Sequence, residues 1–108
     1  MKIHDAEDVQ YLLRTTGRKL SPNQRLVVLL YASAEQNPDG TVMTRATELA
    51  ETAGMTPPVF SRTRKELCEA GWLEETGKFG RVSLYRLNRA MFTDRGAAGR
   101  HLHAVRTG

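Results

Sequence analysis

The stretch from Thr56 to Gly71, TPPVFSRTRKELCEAG, constrains the fold more than any other part of this chain. The hydroxyl of Thr56 can cap a helix, and Pro57 suits the first helical position because no amide donor is needed there. Gly71 supplies the left-handed residue that commonly ends a helix. The sequence therefore predicts a helix over residues 57–70.

This predicted helix has two different faces. Phe60, Thr63 and Leu67 recur at helical spacing and form a face suited to burial. The opposite face is small, hydroxyl-bearing and cationic, with Pro58, Ser61, Arg62 and Lys65. Such a helix suits the major groove of DNA, whereas a charged face on its own is commonly only a solvated one.

A second helix is predicted just upstream, over residues 44–53, with Thr44 as its cap. Gly54 and Met55 would form the turn between the two helices, and this order is the helix-turn-helix arrangement. Downstream, the sequence predicts a strand over residues 72–75, a turn over 76–80 and a returning strand over 81–87. In the returning strand, alternation indicates that Val82 and Leu84 face inward.

The first part of the chain predicts two further helices. Asp5 can cap one that reaches Thr16, and Ser21 with Gln24 forms a capping box for a second one that ends near Gln36. The second is apolar nearly all round and is therefore expected to be covered on two sides. Between it and the helix-turn-helix, residues 41–43 predict a minimal strand.

This surplus of apolar surface has two explanations. One is a homodimer formed through residues 5–32 and the C-terminal segment. The other is closure within one chain, in which the N-terminal helix and Met91-Phe92 cover the surface. The chain then divides into an N-terminal helix and linker (1–20), a central domain (21–88) and a basic C-terminal tail (89–108).

Charge is distributed unevenly along the 108 residues, whose net charge is +4. Residues 1–54 hold 6 basic and 7 acidic residues, a net of −1, whereas residues 55–108 hold 10 and 5, a net of +5. The basic half contains the two-faced helix. This asymmetry favours a polyanionic partner, although it also serves solubility.

Composition and motifs argue against several classes of protein. Cys68 is the only cysteine, so no internal disulfide can form, and we expect it to be inert packing. The histidines His4, His101 and His103 have no acid or nucleophile at useful spacing. We therefore expect no enzyme, no metal site and no cofactor. No run is long and apolar enough for a membrane span, and the polar N-terminus is unlike a secretory signal, so we expect a cytoplasmic protein.

The order of elements resembles a winged helix-turn-helix domain over residues 21–88. The resemblance is carried by the segments 46–50, 54–56, 59–63, 67, 69–73 and 85–87. It fits bacterial MarR-like and GntR-like regulators as well as the winged helices of plasmid and phage replication proteins. It implies a mainly α fold with a small β-hairpin wing, in which helix 57–70 enters the major groove and the wing, 72–87, meets phosphate or the minor groove.

The resemblance also implies which residues contact DNA. Pro57 and Pro58 depart from the usual pattern because they remove two amides that would hold a phosphate. We expect the first turn to supply shape and apolar contact instead. The complete set of expected DNA-binding residues is Thr56, Pro57, Pro58, Ser61, Arg62, Lys65, Lys78, Phe79, Arg81 and Arg45.

The sequence thus predicts a protein that binds double-stranded DNA, and it favours bacterial transcription regulation as the role. Two alternatives stay open at this point. The first is a plasmid or phage replication or partition protein, and the second is a winged helix used for protein–protein contact, because a fold does not determine a function.

Overall fold

The computed structural model describes residues 1–92, which form four helices, a β-hairpin and a final helical turn. In chain order these are α1 (Ala6–Thr16), α2 (Pro22–Ser33), α3 (Ala46–Ala53), α4 (Pro57–Glu69), β1 (Leu73–Phe79), β2 (Val82–Leu87) and a 3-10 turn (Arg89–Phe92). Helices α3 and α4 form a helix-turn-helix, and the antiparallel strands β1 and β2 form a wing. The predicted winged helix-turn-helix fold with an extra N-terminal helix is confirmed. The predicted basic tail lies outside the described residues from residue 93 onward.

Helix α2 lies at the centre of the molecule, where it contacts α1, α3, α4 and β2. Val27, Val28 and Ala32 are completely buried, which explains why this helix is apolar nearly all round. The sequence predicts that this helix ends near Gln36. It ends at Ser33 instead, because the backbone at Ala34 is extended.

Helix α1 covers one side of α2 through Leu12, which is completely buried. Arg25 of α2 fastens the C-terminal end of α1. Its guanidinium donates to the carbonyl of Leu13 at 3.0 Å and to the hydroxyl of Thr16 at 3.3 Å. The first bond satisfies the carbonyl of Leu13, one of the last four carbonyls of α1, which a helix end leaves without an intrahelical amide.

The last described residues cover a second part of the apolar surface of the helical core. Phe92 is buried, with its ring centroid 5.8 Å from that of Trp72 in an edge-on arrangement and 6.3 Å from that of Tyr11. The predicted docking of Met91-Phe92 on the core is therefore confirmed. Leu26 of α2 nevertheless remains 38% exposed.

The starts of three helices agree with the capping signals. The side chain of Asp5 accepts from the Asp8 amide, Ser21 forms a reciprocal capping box with its third helical residue, and Thr56 caps α4. The prediction that Thr44 caps α3 is wrong. The backbone stays extended as far as Arg45, so α3 begins at Ala46 without a side-chain cap.

The wing differs from its prediction in the length of the turn. Strand β1 continues to Phe79, so the turn consists only of Gly80 and Arg81, and the predicted turn over residues 76–80 is wrong. Thr76 is an extra residue at an irregularity between Glu75 and Gly77, where its hydroxyl accepts a 2.9 Å hydrogen bond from Thr41. Gly80 has a φ of +66°, as a two-residue hairpin turn requires.

The wing is fastened to the core at its base. The amide of Val42 donates to the carbonyl of Tyr85 at 3.0 Å, so the minimal strand predicted at 41–43 is present as a single-residue bridge. Arg86 donates to Glu74 at 2.8 Å and to the carbonyl of Asp39 at 3.0 Å. Farther out, the tip extends past the core. The prediction that Val82 faces inward is therefore wrong, since it is 55% exposed.

Candidate nucleic-acid interface

The outer face of α4 is exposed as its periodicity predicts. Ser61, Arg62 and Lys65 are all exposed, and within residues 1–92 their side chains form no hydrogen bond or ion pair. The opposite face is buried, and there the hydroxyl of Thr63 donates to the carbonyl of Val59 at 2.8 Å. The side chains that could reach a ligand are thus separated from those that hold the helix in place.

The first turn of α4 offers no free amide to a phosphate. Pro57 and Pro58 have no amide hydrogen. The amide of Val59 donates to the Thr56 hydroxyl at 3.4 Å, and that of Phe60 donates to the Thr56 carbonyl at 2.9 Å. Any hydrogen bond from this part of the helix to a ligand must therefore come from side chains.

A groove of about 720 Å³ separates the wing from the start of α3. The predicted residues Arg45, Phe79 and Arg81 line this groove together with Tyr31 and Tyr85. A second hollow of about 500 Å³ lies between α4 and β1.

The structure thus places the ten predicted residues in three groups. Ser61 and Lys65 line the second hollow, and Arg45, Phe79 and Arg81 line the groove. The remaining five are exposed on α4 and the wing but line neither space, namely Thr56, Pro57, Pro58, Arg62 and Lys78.

Arg64 is a residue of this surface to which the sequence assigned no role beyond packing. Its guanidinium carbon lies 4.4 Å from the ring centroid of Tyr85 on the wing and 5.5 Å from that of Phe60 on α4. A guanidinium over an aromatic face at such distances is stabilised by the ring quadrupole. Arg64 lines both spaces and links α4 to the wing.

Within residues 1–92, five exposed cations of this surface form no ion pair, and the nearest acidic side chains of the second hollow are Glu74 and Glu75. In the part of the chain that the structure describes, both ion pairs use Arg86, which bonds Glu74 and Asp39. The five predicted cations have no carboxylate within ion-pair distance in residues 1–92; they are Arg45, Arg62, Lys65, Lys78 and Arg81. An anionic ligand would meet them without first displacing an internal partner.

Two titratable groups that line this surface, the Tyr31 hydroxyl and the Cys68 thiol, have raised pKa values. Burial raises the pKa of the Tyr31 hydroxyl, and a hydrogen bond from Arg64 partly opposes the rise. Burial also raises the pKa of the Cys68 thiol, so the thiolate, which is the reactive form, is disfavoured at neutral pH. This agrees with the prediction of an inert cysteine.

Residues 1–92 contain neither a candidate metal site nor a candidate membrane span. No group of three or more His, Cys, Asp or Glu side chains is arranged to hold a metal ion in that part of the chain. None of its helices has the length and apolar character of a membrane span. His101 and His103 lie outside the described residues.

We expect the contact of Arg64 with Tyr85 to stabilise the fold. A double-mutant cycle of Arg64→Ala and Tyr85→Leu should give a coupling energy of about 0.5–2 kcal/mol in the free energy of unfolding. Urea denaturation measures it. A coupling energy near zero would contradict this role and leave Arg64 as a free cation of the surface.

Comparison with known proteins gave likenesses among solved structures only. No protein-family model and no curated protein matches the chain. It is similar to the adhesin competence repressor AdcR from Streptococcus pyogenes, at 17% identity over 94% of this chain and 74% of that chain, with a TM-score of 0.48. It is also similar to two mutants of ZitR from Lactococcus lactis. The single mutant has 16% identity over 94% and 75% of the two chains with a TM-score of 0.48, and the double mutant, in apo form, has 17% over 94% and 67% with 0.45. At such identities and TM-scores the likeness carries no inference about function, which has to come from the residues of this chain.

Proposed function

We propose that this protein binds double-stranded DNA as a transcriptional regulator in the bacterial cytoplasm. Helix α4 enters the major groove, and the wing lies on phosphate or in the minor groove. The observation that supports this proposal is the set of exposed cations without carboxylate partners, two on α4 and three around the wing. Backbone phosphates provide most of the affinity for such a surface.

Each element of the surface has its own role in this proposal. Arg62 and Lys65 are exposed on the outer face of α4 and in this proposal contact base edges, and Ser61 adds a hydroxyl on the same face. Thr56 and the two prolines after it supply shape and apolar contact, because the first turn has no free amide. The phosphate contacts fall to the cations of the wing and groove, Lys78, Arg81 and Arg45.

The main competing function is recognition of another protein by the same surface. Protein interfaces are depleted in charge at their centre, whereas this surface has a cationic helix beside a cationic wing. The charge therefore favours DNA. A replication or partition protein would also bind DNA, and the location of the bound fragments in the source genome would separate that role from transcription regulation.

Salt dependence gives the first test. If each of the three cations assigned to phosphate neutralises one phosphate, the plot of log K against log[salt] should have a slope of about −2.7 per bound chain, since each phosphate contributes roughly −0.9. Fluorescence anisotropy with a mixed-sequence duplex measures the slope. Absence of binding at low salt, or an affinity that does not change with salt, would contradict the proposal.

Substitution of single cations gives the second test. Arg62→Ala and Lys65→Ala should each cost about 1–3 kcal/mol on a selected site and less on random DNA, because these side chains read bases. Lys78→Ala should weaken binding to both DNAs equally. The matched control is Arg14→Ala, which removes an exposed cation from α1; with an oligomeric state equal to wild type by sedimentation, it should change neither affinity. Equal losses on both DNAs for all three surface variants would show that α4 does not read sequence.

We also propose a homodimer formed through residues 5–32 and the C-terminal segment, because two recognition helices on a repeated half-site extend a short footprint. Its support is the 38% exposure of Leu26, next to which Leu29 and Leu30 are only partly buried.

Sedimentation at micromolar concentration should give about twice the chain mass of 12.1 kDa. Leu26→Glu should give a monomer, whereas the control Met43→Glu, an exposed apolar residue outside this region, should not. A wild-type monomer at every concentration would exclude the dimer.

A further inference from the structure

The tip of the wing carries an exposed apolar pair. Phe79 is 73% exposed and Val82 is 55% exposed, and the two residues pair directly across the hairpin on either side of its turn. Directly opposed residues of an antiparallel pair project from the same face, with Cβ atoms about 4.5–5.5 Å apart. The tip therefore ends in one small apolar surface made of an aromatic ring and a branched side chain.

This apolar surface has no evident role in the fold. Phe79 has no aromatic or cationic ring partner in the part of the chain that the structure describes, and most of its surface faces solvent. Single exposed apolar side chains are common, but here two of them are paired at the end of a projecting hairpin. They are free to contact a partner without any rearrangement of the core.

The surroundings of the tip indicate what kind of partner it takes. Lys78 precedes Phe79, Arg81 lies in the turn, and Arg45 lines the same groove as the tip. None of these three cations has a carboxylate partner in residues 1–92. An apolar tip with Arg45 and Arg81 along the same groove complements the DNA minor groove, where stacked bases form the floor and phosphates line both edges.

The base of the wing is attached to the core by two hydrogen bonds and one cation–π contact. The Thr41 hydroxyl donates to Thr76 at 2.9 Å, and the amide of Val42 donates to the carbonyl of Tyr85 at 3.0 Å. Close to these bonds, the Arg64 guanidinium stacks on the ring of Tyr85. An inserted side chain works against the stacking of the two base pairs that it separates. The hairpin that carries it therefore has to keep its position against the core during insertion.

We propose that Phe79, backed by Val82, enters the minor groove and inserts between adjacent base pairs, so that the protein bends the DNA it binds. This inference rests on the proposed DNA-binding function and adds to it a residue that deforms the duplex. The competing occupants of the tip are a second copy of this chain and another protein. With either occupant, Phe79→Ala would leave ring closure unchanged in the experiment below.

Ring closure of short DNA tests the insertion. A fragment of about 150 bp, one persistence length, closes slowly under ligase unless a protein bends it. The full-length wild-type protein should accelerate closure by about tenfold or more. Phe79→Ala should lose most of this acceleration while its affinity for a linear duplex falls much less. Phe79→Leu, which keeps an apolar wedge, should retain a large part of it.

Two controls make the result specific. Met43→Ala removes another exposed apolar residue of the same groove, away from the tip, and should leave ring closure unchanged. A duplex with 2-aminopurine should brighten on binding wild-type protein, because an inserted ring unstacks the base, and should not brighten with Phe79→Ala.

The outcomes separate this inference from the proposed function. Absence of DNA binding by the wild-type protein would remove both. Binding without accelerated ring closure, or equal acceleration by Phe79→Ala, would overturn insertion and leave DNA binding intact. Loss of self-association in Phe79→Ala, measured by sedimentation and without any change on DNA, would overturn insertion by assigning the tip to a second copy of the chain.

Discussion

The burial of α2 is the constraint on which the rest of the structure depends. Helices α1, α3 and α4 and strand β2 all contact it, so one apolar helix determines the position of both α4 and the wing. The underside of α4 is held by Phe60 and Leu67, which are almost completely buried. Each such side chain stabilises the fold by about 1.5–3 kcal/mol on burial. Because the underside is fixed in this way, the outer face of α4 does not have to contribute to stability.

Local signals explain which parts of the fold could be predicted from the sequence. The caps at Asp5, Ser21 and Thr56 depend on residues within one turn, so they identified three helix starts correctly. The turn of the wing depends on distant residues. The stretch TGKFG has the composition of a turn, but Gly77, Lys78 and Phe79 pair with β2, and within the stretch only Gly80 has a positive φ.

The candidate site likewise has one part that follows from local sequence and another part that depends on distant residues. Helical periodicity predicted the exposed face of Ser61, Arg62 and Lys65, because a period of 3.6 residues separates the two sides of a helix whatever packs against them. The linking role of Arg64 could not be predicted, since it requires Tyr85 of the wing to lie beside α4. Nor could periodicity show that the groove would bring Arg45 close to the wing, because that proximity is set by the packing of separate elements.

The separation of tasks on α4 has a consequence for evolvability. The cap, the buried face and the contact with α2 involve none of the side chains at 61, 62 and 65, which form no hydrogen bond within the described residues. If the proposed function holds, exchange of these three side chains changes what the helix recognises and leaves its cap and its buried face as they are. Three surface positions are then enough to give one scaffold different targets.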